Sequence, residues 1–230
     1  MNSILINVFE SIDWSKDLEF EPYTSPILGR SMLWRTVDRV CNLDYNEIYL
    51  NDTSKSEQYL QHLKDGVPWG CNISILNNEN TTQEYDTLDL IWNSPKSFYN
   101  DIKKILCDGG LNYDLDPSWC DTPGVWETNG CHISENCKII PPVYIGEGVI
   151  INDNTEIGPF VSIEKNSCIL ENTTVKNSYI SENTVIKSNI YLNHFILNHL
   201  KLYNIENDVN LEATKDICVN QNNLFSSLVQ

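Results

Sequence analysis

Between Ile133 and Leu192 an aliphatic residue returns every six positions: Ile133, Ile139, Ile145, Ile151, Ile157, Ile163, Ile169 and Val175. Neither the 3.6-residue period of a helix nor the alternation of a single strand sustains that spacing, whereas a coil of short flat faces does. After Val175 the register loses one residue and resumes at Ile180, Ile186 and Leu192. A second column, four residues after each anchor, is compact: Cys137, Val143, Val149, Thr155, Val161, Ser167, Thr173 and, past the skip, Thr184. Both columns are predicted to face inward, with Cys137 and Cys168 acting as small apolar members of the repeat. The positions between are turn chemistry, as in Gly146-Glu147-Gly148, Asn152-Asp153-Asn154, Gly158-Pro159 and Ser181-Glu182-Asn183, where Gly and Asn accept the positive-φ corners a coil needs.

Ahead of the coil the pattern is that of strands and helices. Ile4 to Phe9 is an apolar run suited to a buried parallel strand. Ser31 can cap a helix whose apolar face is Leu33, Val37 and Val40. Glu47 to Leu50 reads as a second strand and Ser54 to Leu63 as a second helix, with Glu57 in capping-box spacing and Tyr59, Leu60 and Leu63 packing. Gly66, Pro68 and Gly70 punctuate a turn into a third strand, Asn72 to Leu76, and Phe98 to Leu106 reads as a further helix. This alternation predicts an α/β unit with a parallel sheet. Residues 107–130 form a linker leading into the coil, with Trp119 and Trp126 expected to cover its open end, because a coil end exposes unpaired edges. The coil proper spans 131–202, and 203–230 forms a C-terminal cap or tail.

The hexad pattern resembles the hexapeptide-repeat, left-handed β-helix family, with Ile145-Gly146-Glu147-Gly148-Val149 and Ile157-Gly158-Pro159-Phe160-Val161 close to its repeat. A second resemblance covers residues 1–106. Ser25-Pro26-Ile27-Leu28-Gly29-Arg30-Ser31-Met32-Leu33, Val67-Pro68-Trp69-Gly70-Cys71 and Ile91-Trp92-Asn93-Ser94-Pro95 are similar to segments of the nucleotide-sugar pyrophosphorylases, the sugar-1-phosphate nucleotidyltransferases. In that family a β-helix commonly follows the catalytic domain and mediates oligomerisation or regulation. The resemblance therefore implies a truncated parallel-sheet α/β unit followed by a left-handed parallel β-helix.

Departures from the family carry the functional expectation. Where members place a Gly-rich, phosphate-holding loop, this chain reads Asn7-Val8-Phe9-Glu10-Ser11-Ile12-Asp13, without glycine. Pro22 stands near the family's basic residue, no Gly-Asp dipeptide offers the metal-binding aspartate, and the sugar-binding half between Leu76 and Ile91 is missing. Arg30 is the one residue at a family-like position suited to a nucleotide or sugar phosphate, and it is equally suited to the surface. Asp86 and Asp89 are read as solvated acids of a loop rather than metal ligands, so no metal site is expected, and Mg²⁺ enters only with residual activity.

Three functions compete. An active nucleotidyltransferase lacks the groups that stabilise the transferring phosphoryl. A hexapeptide-repeat acyltransferase needs an oriented histidine base, and His194 and His199, the late histidines, show no partner in the sequence; the same scarcity, with only His62 and His132 besides, argues against a three-histidine zinc site of the β-helix carbonic anhydrase type, which needs ligands at defined coil positions. The favoured reading is a catalytically degenerate homologue in sugar-nucleotide metabolism, acting as a homo-oligomer or with an active paralogue. Composition narrows this further. A net charge of -17 with 15 Lys and Arg argues against nucleic acid, and the basic pair Lys103-Lys104 reads as a solvated helix face. Eight scattered cysteines without a C-x-x-C pair, no signal-like start and no long apolar run predict a cytoplasmic protein without a membrane span.

Overall fold

A computed structural model describes residues 2–8, 18–51, 53–76, 85–92, 94–107, 122–214 and 217–220. The first unit is a four-stranded sheet in which every pairing is parallel. It contains β1 (Ser3–Val8), β2 (Glu47–Asn51), β3 (Asn72–Leu76) and β4 (Asp86–Leu90), in spatial order β3-β2-β1-β4. Helices α1 (Met32–Cys41), α2 (Ser56–His62) and α3 (Pro95–Cys107) and a 3-10 turn over Lys64–Trp69 connect and cover it. Ser31 caps α1 by accepting from Trp34 N, and Leu33, Val37 and Val40 are buried as the apolar spacing requires. The second helix starts later than its pattern suggests. Its N-cap is Lys55, whose donor-only side chain cannot accept from the first amides, and the Ser56 hydroxyl that follows donates to Asn51 O and accepts from Thr53 N.

The second unit is a coil that visits three sheets in fixed order. Its strands are β5 (Val125–Glu127), β6 (His132–Ile133), β7 (Lys138–Ile139), β8 (Val143–Ile145), β9 (Ile150–Ile151), β10 (Glu156–Ile157), β11 (Val161–Ile163), β12 (Cys168–Ile169), β13 (Thr174–Lys176), β14 (Ser178–Ile180), β15 (Thr184–Ile186), β16 (Tyr191–Asn193) and β17 (Phe195–Asn198). Every third strand pairs in parallel with the next, as β5-β8-β11-β14-β17 do, which is a parallel β-helix-like arrangement. Both predicted columns face inward. Ile145, Ile151, Ile157, Ile163, Ile169, Val175, Ile180 and Ile186 have no exposed surface, and Val143, Val149, Val161, Thr155, Ser167, Thr173 and Thr184 line the same interior. The inward hydroxyls replace strand hydrogen bonds at the corners. Ser167 Oγ donates to Ser181 O and accepts from Thr184 N, and Thr173 Oγ1 does the same with Lys187 O and Ile190 N.

The skip after Val175 has a local cause. One corner is built from Pro141-Pro142 and Gly158-Pro159-Phe160 in the early turns but from Asn177 alone, and then His194 alone, in the later ones. Paired residues accordingly lie eighteen apart from Tyr144 to Ser162 and seventeen apart from Ser162 to Tyr179 and from Tyr179 to Ile196. Positive φ angles at Asn154, Asn166, Asn172, Asn177, Asn183 and Asn189 place asparagine at the tight corners, where its side chain tolerates the left-handed region.

The late end of the coil is closed by a change of direction. β18 (Lys201–Asn204) extends one sheet antiparallel to β17 and β19 (Val209–Glu212) adds to it antiparallel to β18, while β20 (Cys218–Asn220) extends a second sheet antiparallel to β15. Leu202, Ala213 and Cys218 thereby join the coil interior. Three expectations change here. Trp126 does not cover the open end: it points outward and is buried against the sheet unit, while Trp119 lies outside the described residues. Cys168 also points outward, being paired with Ile150 and Val185, one residue before the inward anchor Ile169. Lys103 is not simply solvated, since its Nζ sits 4.6 Å from the centre of the Phe160 ring.

Candidate functional site

In an open parallel sheet, ligands bind beyond the carboxyl ends of the strands where the strand order reverses, here between β1 and β4. Those ends are tied together by their own amides. Asn51 at the end of β2 accepts from Val8 N at 2.6 Å and donates to Val8 O at 3.0 Å, so that its side chain continues the ladder at the last residue of β1. Asn7 Nδ2 donates to Asp89 Oδ1 at 2.7 Å across the reversal point. The following segment, residues 9–17, which spans most of the glycine-free stretch, lies outside the described residues. Asn51→Ala removes both Val8 bonds and is expected to cost about 2 kcal/mol, measured by urea denaturation; an unchanged midpoint would show that Asn51 does not hold the strand end.

Asp86 and Asp89 are not a loop pair. They belong to β4, which pairs in register with β1, and their odd spacing sends them to opposite faces. Asp86 lies at the amino end and accepts from Tyr45 Oη at 2.6 Å, while Asp89 lies near the carboxyl end on Asn7. They cannot share one cation, and no cluster of three or more His, Cys, Asp or Glu suited to a metal occurs among the described residues.

The second constellation joins the sheet unit to the coil. The turn Ile27 to Arg30, with positive φ at Leu28 and Gly29, sits on the coil face whose outward column is Trp126, Tyr144, Ser162, Tyr179 and Ile196. Beside Ser162 the carboxyl of Glu164, fully buried, accepts from Leu28 N at 2.7 Å, Gly29 N at 3.1 Å and Ser162 Oγ at 2.7 Å. Arg35 on α1 holds the other side of the same turn, donating to Ile27 O at 2.7 Å and Leu28 O at 3.0 Å. Tyr179 Oη donates to Pro26 O, Tyr99 Oη to Phe160 O, and Asn198 Nδ2 to Leu18 O and Glu19 O. Phe20, Phe98 and Tyr179 meet edge to face, at 5.1 to 5.8 Å between ring centres. Burial pushes the Glu164 carboxyl up to about 7, against the lowering effect of its three donors and of Arg35.

Arg30, the sequence-level candidate for phosphate contact, is exposed at the end of this turn. The backbone amides of the turn are directed into the coil and bonded to Glu164, so Arg30 stands on a docking element. Glu164 and Arg35 were not among the candidates from sequence. A signal for their site does exist, because Trp126 and Tyr144 stand one coil turn apart on the outward column and Tyr179 two turns further on, and large aromatics on one outward column mark a covered face.

The histidines are dispersed. His194 and His199 occupy separate corners with positive φ; burial lowers His199, while Glu182 and Glu19 oppose it. His62 Nε2 is 2.6 Å from Ser31 Oγ, which also caps α1, and burial lowers its pKa. With Ser31 buried and its hydroxyl committed to the cap, this pair fastens α2 to α1 and is not an exposed nucleophile. None of the described helices is long and apolar enough to cross a membrane. No protein-family model matches the chain, and no curated protein matches it.

Proposed function

We propose that this chain is a catalytically degenerate protein of the nucleotide-sugar pyrophosphorylase type, in which a shortened nucleotidyltransferase-like α/β unit rides on a left-handed β-helix and serves as an oligomeric or regulatory partner in sugar-nucleotide metabolism. The observation that carries the reading is the use of the Pro26–Arg30 turn. The stretch that resembles the family's run into its first long helix is bonded to Glu164, Arg35 and Tyr179 and so fastens two units together. The strand ends support it, since Asn51 and Asn7 already satisfy Val8 and Asp89. Transfer of a nucleotidyl group needs a dense set of donors and cations around the phosphates, and the described strand ends offer amides paired with one another. The acidic net charge of -17 also fails to steer anionic substrates inward.

The test is direct. Purified protein incubated with Mg²⁺, a panel of nucleoside triphosphates and sugar 1-phosphates is expected to release no pyrophosphate above a no-enzyme blank; sustained turnover would overturn the degenerate reading. Light scattering on the same sample is expected to give a mass above that of one chain, and a monomer at micromolar concentration would remove the oligomeric arm.

A further inference from the structure

Each sheet of the coil carries an outward column, and the three columns differ. The column beginning at Trp126 is covered by the sheet unit. A second is polar and open: Lys138, Glu156, Thr174 and Tyr191, the last 64% exposed. The third, on β6, β9, β12 and β15, is His132, Ile150, Cys168 and Val185, each one residue before an inward isoleucine. Exposure falls along it. His132 is exposed, Ile150 is 38% exposed, Cys168 is half-buried with its thiol raised by burial, and Val185 is 4% exposed. Val185 belongs to neither hydrophobic core, so an apolar group outside both lies over the late end of this face.

We propose that residues 221–230 of the same chain dock as a strap on the outer face of β12 and β15, over Cys168 and Val185. The segment lies outside the described residues and follows directly on β20; its apolar side chains are Leu224, Phe225, Leu228 and Val229. Its starting point is fixed, because β20 pairs with β15 and Asn220 stands opposite Thr184, next to Val185. Its reach is sufficient. Residues 221–224 span about 13 Å when extended, and Cys168 lies two strand spacings from β20, about 10 Å, so Leu224 and Phe225 reach both covered residues. Exposure also rises with distance from Asn220, from Val185 through Cys168 to Ile150, as a cover that starts there requires. Charge favours this occupant over a second copy. The segment holds no ionisable side chain, whereas two chains of net charge -17 repel as their faces approach.

Cys168 is the reporter. The full-length chain is treated with N-ethylmaleimide under native conditions, and labelling of each thiol is followed by peptide mass spectrometry. In the unaltered chain Cys168 is expected to react about tenfold more slowly than the exposed Cys107, at a rate independent of protein concentration. Leu224→Asp with Phe225→Asp is expected to remove most of that protection. Cys218, which lies in the coil interior and donates to His199 O, is expected to stay protected and so to show that β20 is intact. Leu228→Asp with Val229→Asp, further from β20, gives the same readout where the first pair disturbs the strand. Labelling of Cys168 as fast as Cys107 in the unaltered chain would overturn the proposal without any variant. Protection that survives both double substitutions would overturn it too, as would protection lost on dilution, which would assign the face to a second copy.

Discussion

Alanine at position 158 is expected to destabilise the chain by about 4 kcal/mol or more, the largest effect of any single methyl group in the coil. Gly158 has φ +106°, a region that side-chain-bearing residues rarely enter, and a Cβ there would lie 1.9 Å from Ile140 O and 2.9 Å from a Val143 methyl. Neither neighbour can retreat. Ile140 N is bonded to Ile157 O, and Val143 lies in the closed interior. The corner would have to open, breaking the ladder between β7, β10 and β13 that passes through Ile157. Far-UV circular dichroism with urea denaturation measures the loss. Gly70, with no neighbour within 4 Å of its Cβ position, is the control at which the same change costs only the strain of its φ of +66°. Equal effects at the two sites would mean that the corner is not close-packed.

Removal of the Glu164 side chain is the second large effect. Glu164→Ala leaves the buried Leu28 N and the part-buried Gly29 N without their acceptor and takes the countercharge from Arg35, for an expected cost of about 3 kcal/mol. The ionisation behaviour separates this contact from simple packing. The folded value of about 7 lies above the ordinary 4.5, so the folded chain holds this proton more tightly than the unfolded chain does. The stability it contributes is fully present below about pH 4.5 and is lost as pH rises through 7. Glu164→Gln, which keeps the shape and cannot ionise, is expected to flatten that part of the stability profile while placing an amide donor against a backbone donor. Equilibrium unfolding at a series of pH values reads both effects; a Gln variant with an unchanged slope would assign the pH dependence to other groups.

The coil was legible in the sequence because its period is covalent in origin. Each corner and each inward position recurs at a fixed count, so Ile145 to Ile186 and Val143 to Thr184 could be placed by spacing alone. The parallel strands β1, β2 and β3 were legible from their apolar runs. Strand β4 was not, because Asp86-Thr87-Leu88-Asp89-Leu90 has two exposed acids and owes its place to backbone pairing with β1. Trp126 and Cys168 show the limit of reading a repeat by composition. Alternation along a two- or three-residue strand decides which way a side chain points, and an outward apolar residue is covered in one place, as Trp126 is by the sheet unit, and exposed in another, as Ile150 and Tyr191 are. Glu164 was invisible for a different reason: a carboxylate beside an inward anchor looks like any solvent-facing corner until the turn at Leu28, 136 positions earlier, is placed upon it.

That turn is where the account is most exposed to test. If the Pro26–Arg30 stretch fastens the sheet unit to the coil, the amides of Leu28 and Gly29 are shielded in the isolated chain and take no part in ligand binding. Residue-resolved amide hydrogen exchange, with and without Mg²⁺, nucleoside triphosphate and sugar 1-phosphate, measures this directly. The predicted result is protection of both amides at the level of the coil interior, such as Ile163 and Ile180, unchanged by the additions. Rapid exchange of Leu28 and Gly29 in the free chain, followed by protection when nucleotide and sugar phosphate are added, would contradict the account and return this turn to a working active site.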